Sequence, residues 1–455
     1  MLVLYDWVHR GIFPLVGPTT LSGQHLGPFF YYLIFPGYLL FGGPIGVSIW
    51  SAMLGVVGVY FLYRSVEMIY GRFSALMVSL LYAVSPALVI ADRIIWEPNL
   101  VPLFSILFVY FSIKQHDRIS FWIVVIQGAL CGILIQLHYP NVFFIALLGL
   151  VALGHSVRIK RWKYLRTATL GWVVGFVIVM APFLYYEYTH GFSDIRGTVD
   201  IVAKTSSGVG KRQTLFQAWE YAGRVIGKVL PNVHTPTVVL FLAGWLVFLI
   251  GNFTSWNIFW TVWFVFGVIA IGKYSGVVFD HYLNFIIPVP FLMIASVIQK
   301  ISNKYFVFCL MFIICTVQVL KTDIHQPGNN DVVRVSTAVQ HMIEIAGSTP
   351  FSFALFKSKS FSDLHYQYYF RVKGKDAAPL ASQSYPLLFL VCDEIDCPSA
   401  AWLTSQTRIP VICYRSYCND FYPSIMLFSQ WSFVSEKSIL HNNQALGMIY
   451  VFRRK

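Results

Sequence analysis

Ten stretches of this chain carry almost no full charge: Pro44–Phe61, Phe73–Ile90, Pro98–Ile113, Phe121–Leu137, Asn141–Gly154, Thr167–Tyr185, Thr237–Ile250, Trp256–Ile271, Tyr282–Ile298 and Tyr305–Leu320. A helix needs about 20 apolar residues to cross the hydrocarbon of a bilayer. Several stretches are shorter, but Trp96, Trp122, Tyr186, Trp256, Tyr274 and Tyr282 flank them and suit the interfacial aromatic belt. The expectation is an all-α polytopic membrane bundle of about ten transmembrane helices. Charged residues make up only 12% of the chain, against about 25% in a soluble domain. The net charge of +13 is topological and does not point to nucleic acid. Met1–Phe13 holds Asp6, His9 and Arg10 and has no apolar core of the kind a secretory signal needs.

Lys and Arg in short loops set orientation. One set of loops carries Arg64 and Arg72, Lys114 and Arg118, Arg158, Lys160, Arg161, Lys163 and Arg166, and Lys300 and Lys304. The alternate set carries only Arg93 and Lys273. The first set is therefore expected in the cytoplasm. The outer face then receives the opening block Tyr5–Pro28, Asp92–Asn99, His138–Pro140, the long loop Glu187–Pro236, Lys273–His281 and everything beyond Leu320. Gly27–Gly42 is apolar but broken by Pro36, Gly37 and Gly42-Gly43-Pro44. If it crossed the bilayer the charge bias would invert, so it is expected to lie as a helix in the outer interface. This divides the chain into 1–43, an outer loop with an interfacial helix; 44–320, the bundle with outer loop 187–236; and 321–455, a soluble domain. An outer N-terminus implies at least one transmembrane helix upstream of Met1.

From Lys321 onward an amphipathic helix is expected at Asp331–Gly347. Strands are expected at Phe351–Phe356, Pro386–Cys392, Pro410–Tyr414 and Leu446–Phe452, and helices at Asp363–Phe370 and Pro398–Ser405. A small extracytoplasmic α/β domain follows. Cys392, Cys397, Cys413 and Cys418 lie in it. Disulfides, free thiols and a metal site all remain open, with the outer compartment favouring disulfides. Cys131, Cys309 and Cys315 sit in apolar spans and are expected to be small core residues.

Charged groups at the outer mouth of a bundle are costly to bury and mark where chemistry is placed. Asp92-Arg93-Ile94-Ile95-Trp96-Glu97-Pro98-Asn99 joins two spans. Its arginine fork matches phosphate oxygens and its carboxylates can take a proton; a solvated loop with Trp96 as an anchor fits equally well. The long outer loop holds Lys204, Lys211, Arg212, Arg224 and Lys228 around Ser206-Ser207-Gly208-Val209-Gly210. It is either a flexible cover for an anionic lipid headgroup or a solvated loop. Asp280-His281-Tyr282-Leu283-Asn284 precedes a span with Pro288 and Pro290, and His138-Tyr139-Pro140-Asn141 is a similar short loop. Each offers headgroup contacts or a purely structural histidine. No zinc-protease, nucleophile-elbow or phosphate-loop motif is present.

Several short motifs together resemble the GT-C fold integral-membrane glycosyltransferases of the protein O-mannosyltransferase and aminoarabinose transferase superfamily. They are Pro14-Leu15-Val16-Gly17-Pro18, Gly27-Pro28-Phe29-Phe30-Tyr31-Tyr32-Leu33, Gly42-Gly43-Pro44, Trp96-Glu97-Pro98-Asn99-Leu100-Val101-Pro102-Leu103-Phe104 and His281-Tyr282-Leu283. The resemblance implies transfer of a sugar from a polyprenyl-phosphate donor to a lipid, glycan or protein acceptor at the outer face of the cell membrane, with inversion. It implies a carboxylate base in the first outer loop and basic groups on the lipid phosphate. In the family that acid lies upstream of the Gly-Pro-aromatic block, in a stretch that would precede Met1, which leaves Asp6 as the acid of the block. The expected catalytic residues are Asp6 and Glu97; the expected donor-phosphate ligands are Arg93, Lys211, Arg212, His281 and Tyr282. No cofactor is expected, and a divalent-metal requirement stays open. A polymerase or ligase that uses a polyprenyl-linked glycan, and an inactive or truncated scaffold, are the competing readings.

Overall fold

The computed structural model describes residues 1–20, 23–117, 120–160, 163–206, 211–230, 235–274, 276–322, 330–358, 362–378, 385–394, 396–406, 408–412, 424–427, 431–442 and 444–455. They form two compact units, Met1–Phe13 with Gln326–Lys455, and Pro14–His325. The boundary differs from the expected one, because Met1–Phe13 belongs with the C-terminal region and not with 14–43.

The chain begins with α1 (Leu2–Arg10), which Gly11 ends in the left-handed conformation. The larger unit then opens as a backbone hairpin. Gly17 N–H donates to Leu26 O, Leu26 N–H to Pro18 O and Thr20 N–H to Gln24 O. A Cβ on Gly17 would stand 2.1 Å from Gly27 O, and one on Gly27 would stand 2.2 Å from Gln136 Cγ. Gly17 and Gly27 are there for close approach. After it come α2 (Phe29–Phe41) and α3 (Gly43–Ala83), separated by Gly42 and Gly43, both at positive φ. Helix α3 is two segments joined at Gly71 (φ 81°); beside that break Arg64 and Arg72 pair with Glu67.

The bundle continues with α4 (Pro86–Arg93), α5 (Val101–Asp117), α6 (Phe121–Leu137), α7 (Phe143–Ile159) and α8 (Lys163–Thr189). Next are α9 (Ser193–Ser206), α10 (Lys211–Gly227), α11 (Thr235–Gly251), α12 (Ser255–Gly272), α13 (Pro288–Lys300) and α14 (Lys304–Lys321). Every expected apolar stretch contains a helix, with breaks at Val84-Ser85 and at 284–287. Five helical segments are individually long and apolar enough to cross a membrane: Gly43–Ala83, Tyr139–Val157, Leu165–Thr189, Ser255–Gly272 and Lys304–Lys321. The chain is a multi-pass membrane protein. The long outer loop differs from expectation, because α9 and α10 occupy most of it. Of the three cysteines expected in the core, Cys131 and Cys315 are buried, whereas Cys309 is exposed on α14.

The smaller unit is α/β. Its helices are α15 (Asp331–Ala346), α16 (Leu364–Val372) and α17 (Ala400–Ser405). Its strands are β1 (Phe351–Phe356), β2 (Leu387–Cys392), β3 (Arg408–Val411), β4 (Ser424–Leu427), β5 (Trp431–His441) and β6 (Gln444–Arg454). One sheet runs β1-β2-β6-β5 with β1 and β2 parallel, and β3-β4 form a second. Strands β4 and β5 were not anticipated. Cys392 and Cys397 form a disulfide; Cys413 and Cys418 lie outside the described residues.

Beside that disulfide, Asp393 is buried and accepts from Arg334 Nε (2.8 Å), Tyr366 Oη (2.7 Å) and Ser358 Oγ (3.0 Å). Burial alone would raise its carboxyl, but the hydrogen bonds from His365 and Tyr366 and the charge of Arg334 outweigh it and hold it at about 2. A depressed carboxyl contributes stability above its unfolded value and loses it as pH falls through the folded one. The unit should therefore lose about 2 kcal/mol between roughly pH 4 and pH 2. Asp393→Asn should remove that pH dependence, with proteolysis of region 326–455 in the full-length protein as the measurement.

Candidate functional site

Three loops meet a basic helix end in the larger unit. Pro98 and Asn99 close the turn after α4, where Asn99 Nδ2 donates to Ala91 O (3.0 Å) and Ile94 O (3.3 Å). Asn284, just after the turn Asp280–Leu283, reaches across to donate to Pro98 O at 2.8 Å. Lys228 follows α10, and its Nζ donates to Asn284 Oδ1 (3.1 Å) and Asp280 O (3.2 Å). One turn back, Arg224 Nε donates to Asp280 Oδ1 (2.7 Å) and Nη2 to Val278 O (3.0 Å). Ser85 Oγ fixes the Lys228 carbonyl at 2.6 Å.

A cavity of ≈ 110 Å³ opens between these elements, lined by Trp96, Asn99, Lys228, Asp280, His281 and Asn284 among others. A second, of ≈ 260 Å³, adjoins it and shares Lys228, with Gln318 and Lys321 on its far wall. The rim of the first is aromatic. Trp96 lies 4.4 Å from the His281 ring, and His138 lies 5.0 Å from His281 and 4.8 Å from Tyr282.

Burial sorts the charges. It lowers His281 to about 4, helped by the Lys228 charge, and His138 to about 3. Both imidazoles are neutral at physiological pH and act as hydrogen-bonding and stacking groups. Burial also lowers Lys228, to about 8, so it remains a cation at pH 7. The cationic pole is thus Lys228 with Arg224, backed by aromatic faces, and suits an oxyanion of a phosphate.

Of the expected phosphate ligands, His281 and Tyr282 meet at this rim. Arg93 is exposed at the end of α4 and has no ion-pair partner among the described residues. Lys211 and Arg212 begin α10, but their side chains lie outside the described ones. Lys228 lines the site and Arg224, ion-paired with Asp280, stands one turn before it; both were grouped with Lys211 by sequence but not singled out. Their signal was their position one helical turn apart, on one face of α10 and its end.

The expected acids are placed differently. Asp6 belongs to the smaller unit, where Arg371 Nη1 grips both its oxygens at 2.5 and 2.6 Å and Arg10 stands at 3.5 Å. It is a structural anchor of α1. Glu97 opens the turn beside Trp96; burial raises its carboxyl to about 7. Asp92 is likewise raised to about 7 by burial, and its Oδ2 occupies the space a side chain on Gly55 would fill. Among the described residues no group of three His, Cys, Asp or Glu side chains is placed to hold a metal.

Residues 25–186 match the family model for dolichyl-phosphate-mannose-protein mannosyltransferase. No curated protein matches the sequence. Among solved structures, ArnT from Cupriavidus metallidurans in the apo state is similar, with TM-score 0.62 and 13% identity over 99% of this chain and 92% of that one. ArnT from the same organism bound to undecaprenyl phosphate gives TM-score 0.61 and 12% identity over the same shares. The chain therefore has the GT-C glycosyltransferase fold, and its residues 25–186 carry the pattern of the dolichyl-phosphate-mannose-protein mannosyltransferase family.

Proposed function

We propose that this protein moves a sugar from a polyprenyl-phosphate donor to an acceptor at the outer face of the membrane, with its C-terminal domain on that same side. The observation that carries the reading is the half-buried ammonium of Lys228, held by Asn284 and Asp280 O at the mouth of an aromatic-rimmed cavity. A phosphate leaving group needs fixed positive charge where its own charge develops. Lys228 and Arg224 supply it, Asn284 fixes the ammonium, and Trp96, His281 and Tyr282 offer faces to a sugar ring. The bound undecaprenyl phosphate of the similar ArnT structure supports a ligand of this class. Glu97, whose carboxyl burial raises to about 7, can when protonated hydrogen-bond the departing phosphate where a full carboxylate would repel it.

The test is consumption of labelled undecaprenyl-phosphate hexoses and pentoses by the purified protein in liposomes, with release of undecaprenyl phosphate as the readout. Release from at least one donor is expected. Failure to bind undecaprenyl phosphate and to consume any donor would sink the reading; use of oligosaccharide-diphosphate donors alone would replace it with a polymerase or ligase. Glu97→Gln, which keeps a hydrogen-bond donor, should retain turnover within about threefold and flatten its pH dependence around pH 7.

A further inference from the structure

The second cavity has a chemistry of its own. The short run after α10 is clamped from two sides. Ser85 Oγ donates to Lys228 O (2.6 Å), and Gln318 Nε2 of α14 donates to Val229 O (2.7 Å). Lys228 is thereby fixed as a wall common to both cavities. The two differ in charge. Lys228 and the Asp280 carboxylate line the first, and Arg224 pairs with that carboxylate. Lys228 and Lys321 line the second, of ≈ 260 Å³, with no carboxylate among the described residues around it. Arg224 and Asp280 cancel, so the first cavity offers one positive charge and the second offers two.

Gln318 is a second and independent mark. It is 1% exposed, and a buried polar side chain near the end of a span is costly unless it has a use. The Val229 carbonyl only accepts, so the amide gives it an N–H and turns its oxygen away. That Oε1 has no hydrogen-bond partner among the described residues, and Gln318 lines the cavity. A buried acceptor left unpaired costs about 1–3 kcal/mol. The cavity therefore suits a ligand that brings an O–H together with negative charge. Pro86, Ala87 and Leu230 supply its apolar wall. Beside Lys321, Leu320 is exposed, as is Ile313, seven residues earlier and so on the same face of α14. A lipid chain has an apolar helix face to follow from the cavity.

We infer that the second cavity takes the phosphomonoester end of the spent carrier, the polyprenyl phosphate left after transfer, and is its way out of the phosphate pole. This rests on the glycosyl-transfer reading. The donor phosphate is a diester, with one charge and no O–H. When the bond between the anomeric carbon and the phosphate oxygen breaks, that oxygen keeps the electron pair and the group becomes a monoester. A monoester carries about −1.5 to −2 charge at pH 7, and its singly protonated fraction keeps an O–H. Transfer thus creates what the second cavity matches: added charge for Lys321 and a donor for Gln318 Oε1. Lys228 borders both cavities, so the phosphate crosses without leaving its cation, and donor and spent carrier compete for it.

The experiment measures binding of two probes to the detergent-solubilised full-length protein at pH 7: undecaprenyl phosphate, a monoester, and undecaprenyl methyl phosphate, a diester. Lys321→Met should weaken the monoester about fivefold, the upper range for an open ion pair, and leave the diester within about twofold of wild type. Gln318→Leu should do the same, about fivefold for the monoester alone, the scale of one hydrogen bond. In liposomes, the inhibition constant of added undecaprenyl phosphate should rise by the same factor in each variant at unchanged donor KM. Equal losses for monoester and diester in Lys321→Met would assign the cavity to the donor and overturn the inference, as would unchanged monoester affinity. Displacement of undecaprenyl phosphate by equimolar inorganic phosphate would mark a site for the free ion and overturn it too. Gln318 also holds Val229 O, so if Gln318→Leu loses thermal stability the exposed Lys321 decides alone. A wild type that consumes no donor sinks the glycosyl-transfer reading and the exit role with it, whereas a selective loss of monoester binding would still establish a phosphomonoester site.

Discussion

Lys228→Met should weaken binding of undecaprenyl phosphate roughly 30-fold, about 2 kcal/mol, the scale of a hydrogen bond to a charged group. Methionine keeps most of the stem, so the packing beside Ser85 and Asn284 survives and the loss reports the ammonium. The pH dependence is the sharper test. Burial lowers Lys228 to about 8, so its charge is present below that pH and lost above it. Anion affinity in the wild type should therefore be highest below pH 8 and decline as pH rises beyond it. Lys228→Arg keeps a cation throughout and should bind with no decline up to about pH 10. The neutral His281, at about 4, adds no change between pH 5.5 and 7. Titration of undecaprenyl phosphate into the detergent-solubilised protein at several pH values measures all three. An unchanged affinity in Lys228→Met would remove this residue from the phosphate pole.

Much of the fold was legible because bilayer physics is written in composition. Apolar stretches, alternating Lys and Arg, and the change of character after Leu320 located the apolar helices of the bundle, though not α9 and α10, and most strands of the α/β unit. Strand β5 was missed, although Asn442-Asn443 between two strand-like runs is turn chemistry and Asn442 does adopt positive φ. Edge exposure left β5 without the buried alternation that marks a strand. The site was less legible. Loops 92–99, 138–141 and 280–284 were each suspected, but only folding shows that Asn284 bonds Pro98 and that His138 faces His281. Choosing among the six lysines and arginines of one long loop needed the helical phase of α10, which a sequence scan reads as a Gly-rich cover. Asp6 stands for the opposite error. Nearness in sequence to Gly27-Pro28 suggested a catalytic acid, whereas its partner Arg371 is hundreds of residues away and invisible to spacing.

Gly175→Val should be the most damaging single substitution in the bundle, lowering stability by about 3 kcal/mol, the top of the range for overpacking. Helices α6 and α8 form the most extensively packed helix pair of the larger unit, and they do so backbone against backbone. Gly128 and Gly132 on α6 meet Trp172 and Phe176 of α8, and Gly171 and Gly175 on α8 meet Val124 and Val125 of α6, two pairs of glycines four apart. A Cβ on Gly175 would stand 1.9 Å from Val125 O and 2.8 Å from Ala129 N; one on Gly128 would stand 2.2 Å from Trp172 O. The obstacles are main chain, so no rotamer change relieves them. In lipid, helices gain little from apolar burial and associate through close packing, which small residues permit. Separating the pair also pulls on Gln136, which joins α6 to α8 through Val179 O (3.1 Å) and carries Phe29 N–H (3.2 Å). The opening hairpin should loosen with it. Gly149→Val on α7 is the control, since a Cβ there meets nothing within 4 Å. Thermal unfolding monitored by size-exclusion of detergent-solubilised protein should show Gly175→Val aggregating well below wild type and Gly149→Val matching it; equal stability of the two variants would rule out this backbone contact.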